Sequence, residues 1–134
     1  MAQKKVTATG RPEVIVEILF DRGMLSISVR NIGTRAAKNV EVSFDRSFTG
    51  LGGSREMPSL SLFKNLEFLG PAREIITLLD TSASYFMRKQ PTTISARVSY
   101  LDAEDQKYEA TMNHNLEIYR ELSWASSTSI HEVQ

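Results

Sequence analysis

The stretch 25–44, LSISVRNIGTRAAKNVEVSF, decides the fold. It contains two runs of strict alternation. In the first, Leu25, Ile27 and Val29 share one side, and Ser26, Ser28 and Arg30 the other. In the second, Val40, Val42 and Phe44 fall together. Period two marks a strand, because successive side chains leave opposite faces of a sheet. The hub between the runs, RNIGTRAAKN, has the chemistry of a turn. Asn31 can bond its own backbone two residues on, and Gly33 can take positive φ. Ala36 and Ala37 are small enough for a crossing chain to pack close. The hub reads as a crossover between two sheets rather than a chemical site.

The pattern extends on both sides. EVIVEILF (13–20) puts Val14, Val16, Ile18 and Phe20 on a buried face, with Ile15 and Leu19 on a partly buried one. DRG (21–23) forms a tight turn with Gly23 at positive φ. REIITLL (73–79) and TISARVSY (93–100) are strands, the second with Ile94, Ala96, Val98 and Tyr100 inward. YEATMNHNLEI (108–118) is a long strand with Tyr108, Ala110, Met112, His114, Leu116 and Ile118 inward. DRSFTGLGGSREMP (45–58) is a long mobile loop by its glycines and proline, and SLSLFKNLEFL (59–69) a strand, a bulge and a second strand. DTSASYFMRKQP (80–91) opens on Asp80, Thr81 and Ser82, stops at Pro91, and fits one helical turn.

The total is about seven antiparallel strands with no long helix. This is the spacing of an all-β, immunoglobulin-like β-sandwich in Greek-key order. The expected organisation is a flexible arm over 1–12, the sandwich over 13–124 and a tail over 125–134. In the tail, Ser129 and Glu132 have capping-box spacing, so a helix is expected to begin there and continue in the natural protein, with Trp124 packing against it or capping the bottom of the sandwich.

The chain of 134 residues carries 16 basic and 16 acidic residues, a formal net charge of +0. That balance speaks against nucleic acid, whose phosphates call for a basic face. There is no cysteine, hence no disulfide and no thiolate metal site. No apolar run reaches the ~20 residues that span a bilayer. A cytoplasmic location suits these features.

Three segments carry the resemblance to a known family. VRNIGTRAAKNVEV (29–42) is similar to the strand–turn–strand pattern of bacterial immunoglobulin-like domains of the CARDB (cell-adhesion-related) type. FLGPAREI (68–75) resembles their Pro-Gly turn, with Gly70 before Pro71 instead. VSYLDAEDQKYEATMNHNLEIYRELSW (98–124) resembles their closing hairpin, with Asp105 or its neighbour where a glycine is usual; Asp tolerates the left-handed region. The resemblance covers roughly residues 12–124. It implies a sandwich within a larger, uncharacterised bacterial protein, tethered in some relatives by an N-terminal membrane helix.

Few residues offer chemistry. GLGGSRE (50–56) could wrap an anion with the amides of Gly50, Gly52, Gly53 and Ser54 and the charge of Arg55, yet Pro58 follows where a phosphate loop needs a helix. DAED (102–105) groups carboxylates without the spacing of a calcium loop. His114 falls on an inward strand face, and the other histidine, His131, lies in the tail. No serine sits in a nucleophile elbow. Arg30, Glu41, Arg97, Lys107 and Glu109 point outward as a solvated sheet face. No catalytic, metal or cofactor residue is expected, and the chain is expected not to be an enzyme. The expected role is a structural or interaction module that binds a protein partner or itself through an edge strand. The alternative is a small-ligand or carbohydrate-binding sandwich using the 45–58 loop.

Overall fold

The computed structural model describes residues 10–122. The capping-box helix and Trp124 lie outside them. Of the expected arm, residues 10–12 are described and dock against the hub, where Arg11 accepts a backbone bond from Thr34.

Two antiparallel sheets enclose one core. The first contains β1 (Val14–Asp21), β2 (Met24–Asn31) and β7 (Glu74–Thr81), in the order β1-β2-β7. The second contains β3 (Ala37–Phe44), β6 (Leu66–Leu69), β8 (Thr93–Leu101) and β9 (Lys107–Asn115), in the order β6-β3-β8-β9. The inward rows read from the sequence meet between them: Val14, Val16, Ile18, Leu25, Ile27 and Val29 from one sheet, Val40, Val42, Ile94, Ala96, Val98 and Tyr100 from the other. Burying each larger aliphatic chain contributes about 1.5–3 kcal/mol. β2 and β3 lie in different sheets, so the hub is a crossover as its sequence suggests.

The turn between β1 and β2 has both Arg22 and Gly23 at positive φ, the backbone that matches strand twist in a two-residue hairpin. Gly33 differs from expectation. Its φ is not in the left-handed region, and what it supplies is room, because an added Cβ would overlap the Arg11 carbonyl and sit 2.5 Å from the Glu13 nitrogen. In the later turn, Ala72 takes φ 65° and Arg73 N–H closes on the Gly70 carbonyl, so Ala72 stands where glycine would sit without strain. Asp105 adopts φ 66° in the β8–β9 hairpin, the left-handed region that Asp tolerates.

The middle of the chain departs most from its sequence reading. The 45–58 segment includes a two-stranded ladder, β4 (Thr49–Gly50) with β5 (Arg55–Glu56), and buries Phe48 and Met57. The expected first strand of 59–69 is instead the end of a 3-10 turn, Met57–Ser59, followed by a short helix α1 (Ser61–Lys64). The spacing explains the difference. Leu60 and Phe63 are three apart, so one helical turn places both toward the core, which a strand could not do. Phe44 meets Phe48 and Phe63 edge-on at 5.1 Å in each case, and the three rings close one end of the sandwich. The helix expected over 80–91 forms as α2 (Ser82–Met87), capped by Thr81, whose hydroxyl accepts from Ser84 N–H at 3.1 Å.

β9 ends at Asn115, short of the expected 118. Ala110 is exposed on its inward row, Leu116 is buried just past its end, and Ile118 lies in an exposed helical turn over 118–122. An edge strand reaches past the core on one side, so inward direction alone does not bury a residue there.

Candidate functional site

Asn31 is fully buried and all of its amide is engaged. Its Oδ1 accepts from Glu13 N–H at 3.1 Å and Gly33 N–H at 2.9 Å. Its Nδ2 donates to the Arg35 carbonyl at 2.8 Å and the Leu69 carbonyl at 3.1 Å. Its backbone bonds Arg73 and Ala72. One side chain thus ties β1, the crossover and β6 together across both sheets. The bond to Gly33 is the one the sequence suggests; the reach to Leu69 is visible only in three dimensions.

The glycine loop is built against its own protein. Gly50 packs so closely on β7 that an added Cβ would overlap the Leu79 carbonyl. Gly52 N–H donates to Asp80 Oδ2 at 3.1 Å. Asp80 also receives Arg88 at 2.6 Å, with both side chains largely buried. Arg88 reaches on to the hydroxyl and carbonyl of Thr49. A carboxylate of the chain therefore occupies the amide that an anion would use. Burial works against the charged form of Asp80, but Arg88, Gly52 N–H and further donors outweigh it and hold its pKa below the ordinary range. Gly53 stands near the Arg88 guanidinium, Ser54 bonds back to the Leu51 carbonyl, and Arg55 lies in β5. The sequence reading missed the Asp80–Arg88 pair. Its only trace is an acidic residue closing an apolar strand, with an arginine eight positions on.

Burial pushes the Tyr85 phenol well above its ordinary pKa, with Arg88 partly offsetting it. Its hydroxyl donates to the Pro91 carbonyl at 2.6 Å, fixing the exit from α2. Asp102 organises the last hairpin: Oδ1 accepts from Glu104 and Gln106 N–H, and Oδ2 from the Tyr108 hydroxyl, each at 2.9 Å. Among the described residues, no group of three or more His, Cys, Asp or Glu side chains is placed to hold a metal.

His114 and Met112 act at an edge. The bond Ile32 N–H to Glu13 carbonyl sets the phase of β1: odd-numbered residues bond β2, and even-numbered N–H and C=O groups point off the edge. Two of those edge groups belong to Val16. Its N–H donates to Met112 Sδ at 3.1 Å, and its carbonyl lies 2.9 Å from His114 Nε2. The Tyr119 hydroxyl donates to the next such carbonyl, Ile18, at 3.3 Å, while its ring stacks on Phe20. Side chains from β9 and from the helical turn that follows it thus plug the open edge of the first sheet. Alternation places His114 inward, but not against β1.

The outer face of the four-stranded sheet carries the expected mixed charge in a shallow polar groove, where Glu109 pairs with Arg97 at 2.8 Å and Lys107 at 3.3 Å.

These features define an antiparallel β-sandwich whose polar interior groups serve to lock strands and loops in place. The chain belongs to the family described as Domain of unknown function (DUF8453), whose model matches residues 1–120. A comparison with curated proteins gave no match.

Proposed function

We propose that the protein is a non-enzymatic interaction module that binds by strand addition along β9. The carrying observation is the unequal treatment of its sheet edges. β1 is plugged by Met112, His114 and Tyr119. β6 is four residues long. The far end of β7 lies under the Gly50 loop. β9 runs nine residues, pairs with β8 in unbroken register, and has no other strand neighbour among the described residues. Natural sheets blunt exposed edges, and a long regular one is a template for another strand. The commitment of Asn31, Asp80, Asp102 and His114 to internal bonds supports a scaffold over a catalyst.

The strand order supports an immunoglobulin-like reading, since β1, β2 and β7 share one sheet and β3, β8 and β9 the other, as strands A, B, E and C, F, G do in that fold, with one strand placed differently. In the constant-type sandwich the fourth strand joins the first sheet; here β6 pairs with β3 in the second. The chain serves as one domain of a larger bacterial protein in this reading.

Two proline substitutions test whether the β9 edge is free. Leu116 N–H bonds the Thr92 carbonyl and Asp102 N–H the Gln106 carbonyl, so even-numbered residues of β9 bond β8 and odd-numbered ones point outward. Thr111→Pro is expected to change unfolding stability by no more than about 1 kcal/mol, since proline is tolerated where N–H faces away from the sheet. Ala110→Pro removes a ladder bond and is expected to destabilise the protein clearly more than Thr111→Pro. Equal, large losses at both positions would show that the fold itself uses the edge, and the proposal would fall.

A further inference from the structure

We infer that the occupant of the β9 edge is a second copy of this chain, paired antiparallel about a two-fold axis at Thr111. This rests on the strand-addition reading above and adds the partner and the register. A two-fold interface brings a surface against itself, so residue i facing j requires j facing i. With the axis at Thr111, Lys107 faces Asn115 of the other copy, Glu109 faces Asn113, and Thr111 faces its own counterpart. These odd-numbered residues are the ones whose N–H and C=O point off the edge, so each facing pair can exchange two backbone bonds. No like charges stand opposite one another in this register, and a Thr–Thr pair is a favourable cross-strand contact.

Other registers fit less well. With the axis at Glu109, two carboxylates face each other. With the axis at Tyr108, Lys107 and Glu109 are matched, but only the first three residues of β9 overlap. The Thr111 register uses all nine residues of the strand.

The inward row gives a second argument. Tyr108, Met112 and His114 are half-buried and Ala110 is exposed, although all alternate toward the core. In the Thr111 register, Ala110 faces Met112 of the other copy and Tyr108 faces His114, so the exposed part of this row is covered by its own equivalent. The four-stranded sheets of the two copies then form one continuous sheet.

The chain has no cysteine, which permits a direct test of register. Facing residues of a bonded antiparallel pair have Cα atoms ~5.5 Å apart, within the range a disulfide bridges. In the full chain, Thr111→Cys is expected to give a covalent dimer under mild oxidation. Asn113→Cys is expected to remain uncrosslinked, because its counterpart is displaced by four residues, about 13 Å along the strand. Light scattering on the unsubstituted chain should approach twice 15.1 kDa at high concentration. Thr111→Lys should abolish that doubling with an unchanged circular dichroism spectrum, since it sets two ammonium groups against each other at the axis. A strict monomer at every concentration would overturn the self-pairing while leaving the open edge intact. A dimer that Thr111→Lys does not weaken, or equal crosslinking at 111 and 113, would overturn the register.

Discussion

Asn31 shows how much one polar side chain decides in this sandwich. It satisfies two backbone donors, Glu13 and Gly33, and two backbone acceptors, Arg35 and Leu69, from the crossover and the strand ends beside it. Asn31→Ala is expected to destabilise the protein by about 3 kcal/mol in denaturant unfolding, because buried groups lose partners without gaining water. Asn31→Asp should be no milder. Its second oxygen would face the Arg35 and Leu69 carbonyls, where the amide nitrogen donates. A loss under about 0.5 kcal/mol for both would contradict the role given to this residue. Ala72 offers the opposite case. At φ 65° an alanine is strained, so Ala72→Gly is expected to raise stability by about 0.5 kcal/mol after allowing for the greater freedom of the unfolded chain. The hub was legible in the sequence because its bonds are local, Asn31 to Gly33. The long-range half was not, since nothing near residue 31 announces Leu69.

At the scale of elements, the aromatic closure and the edge plug are the parts with consequences. Phe63 is buried on α1 and contacts Phe44. Phe63→Ala is expected to cost about 3 kcal/mol, by lost transfer energy and the cavity left behind. The strands were readable wherever both neighbours in the sheet bury the same row, as in β2, β3 and β8. Reading failed at 59–69, where Leu60, Phe63 and Leu66 serve one turn of helix and one short strand in succession. It failed again along β9, where alternation gives direction but not depth. The internal order of the 45–58 segment is not legible in its sequence for a related reason. Its glycines suggest mobility, while Gly50 is there for a close approach to Leu79 and Gly52 donates to Asp80.

For the whole molecule, acid stability follows from carboxylates engaged in the folded state. Asp80, Asp45, Asp102, Glu109 and Glu117 all have pKa values held below their ordinary ones. A depressed folded pKa contributes stability that is present above the unfolded value and lost as pH falls through the folded one. Stability should therefore be level near neutrality and decline below about pH 4. Asp80 lies deepest, and Asp80→Asn should flatten that decline while lowering stability near neutrality, since Arg88 loses its counter-charge. An acid limb as steep in the variant as in the parent would show that Asp80 is not tied to Arg88 in solution.

The sandwich closes one edge with its own side chains, and the proposed function requires another to stay open for pairing. Residue-resolved amide hydrogen exchange on dilute protein tests both halves at once. The Val16 amide, held by Met112, is expected to be protected, and those of Glu109, Thr111 and Asn113 to exchange fast, with Ala110 and Met112 protected by β8. At high concentration the three fast amides should slow. Protection of the odd-numbered β9 amides in dilute protein, or fast exchange at Val16, would contradict this arrangement.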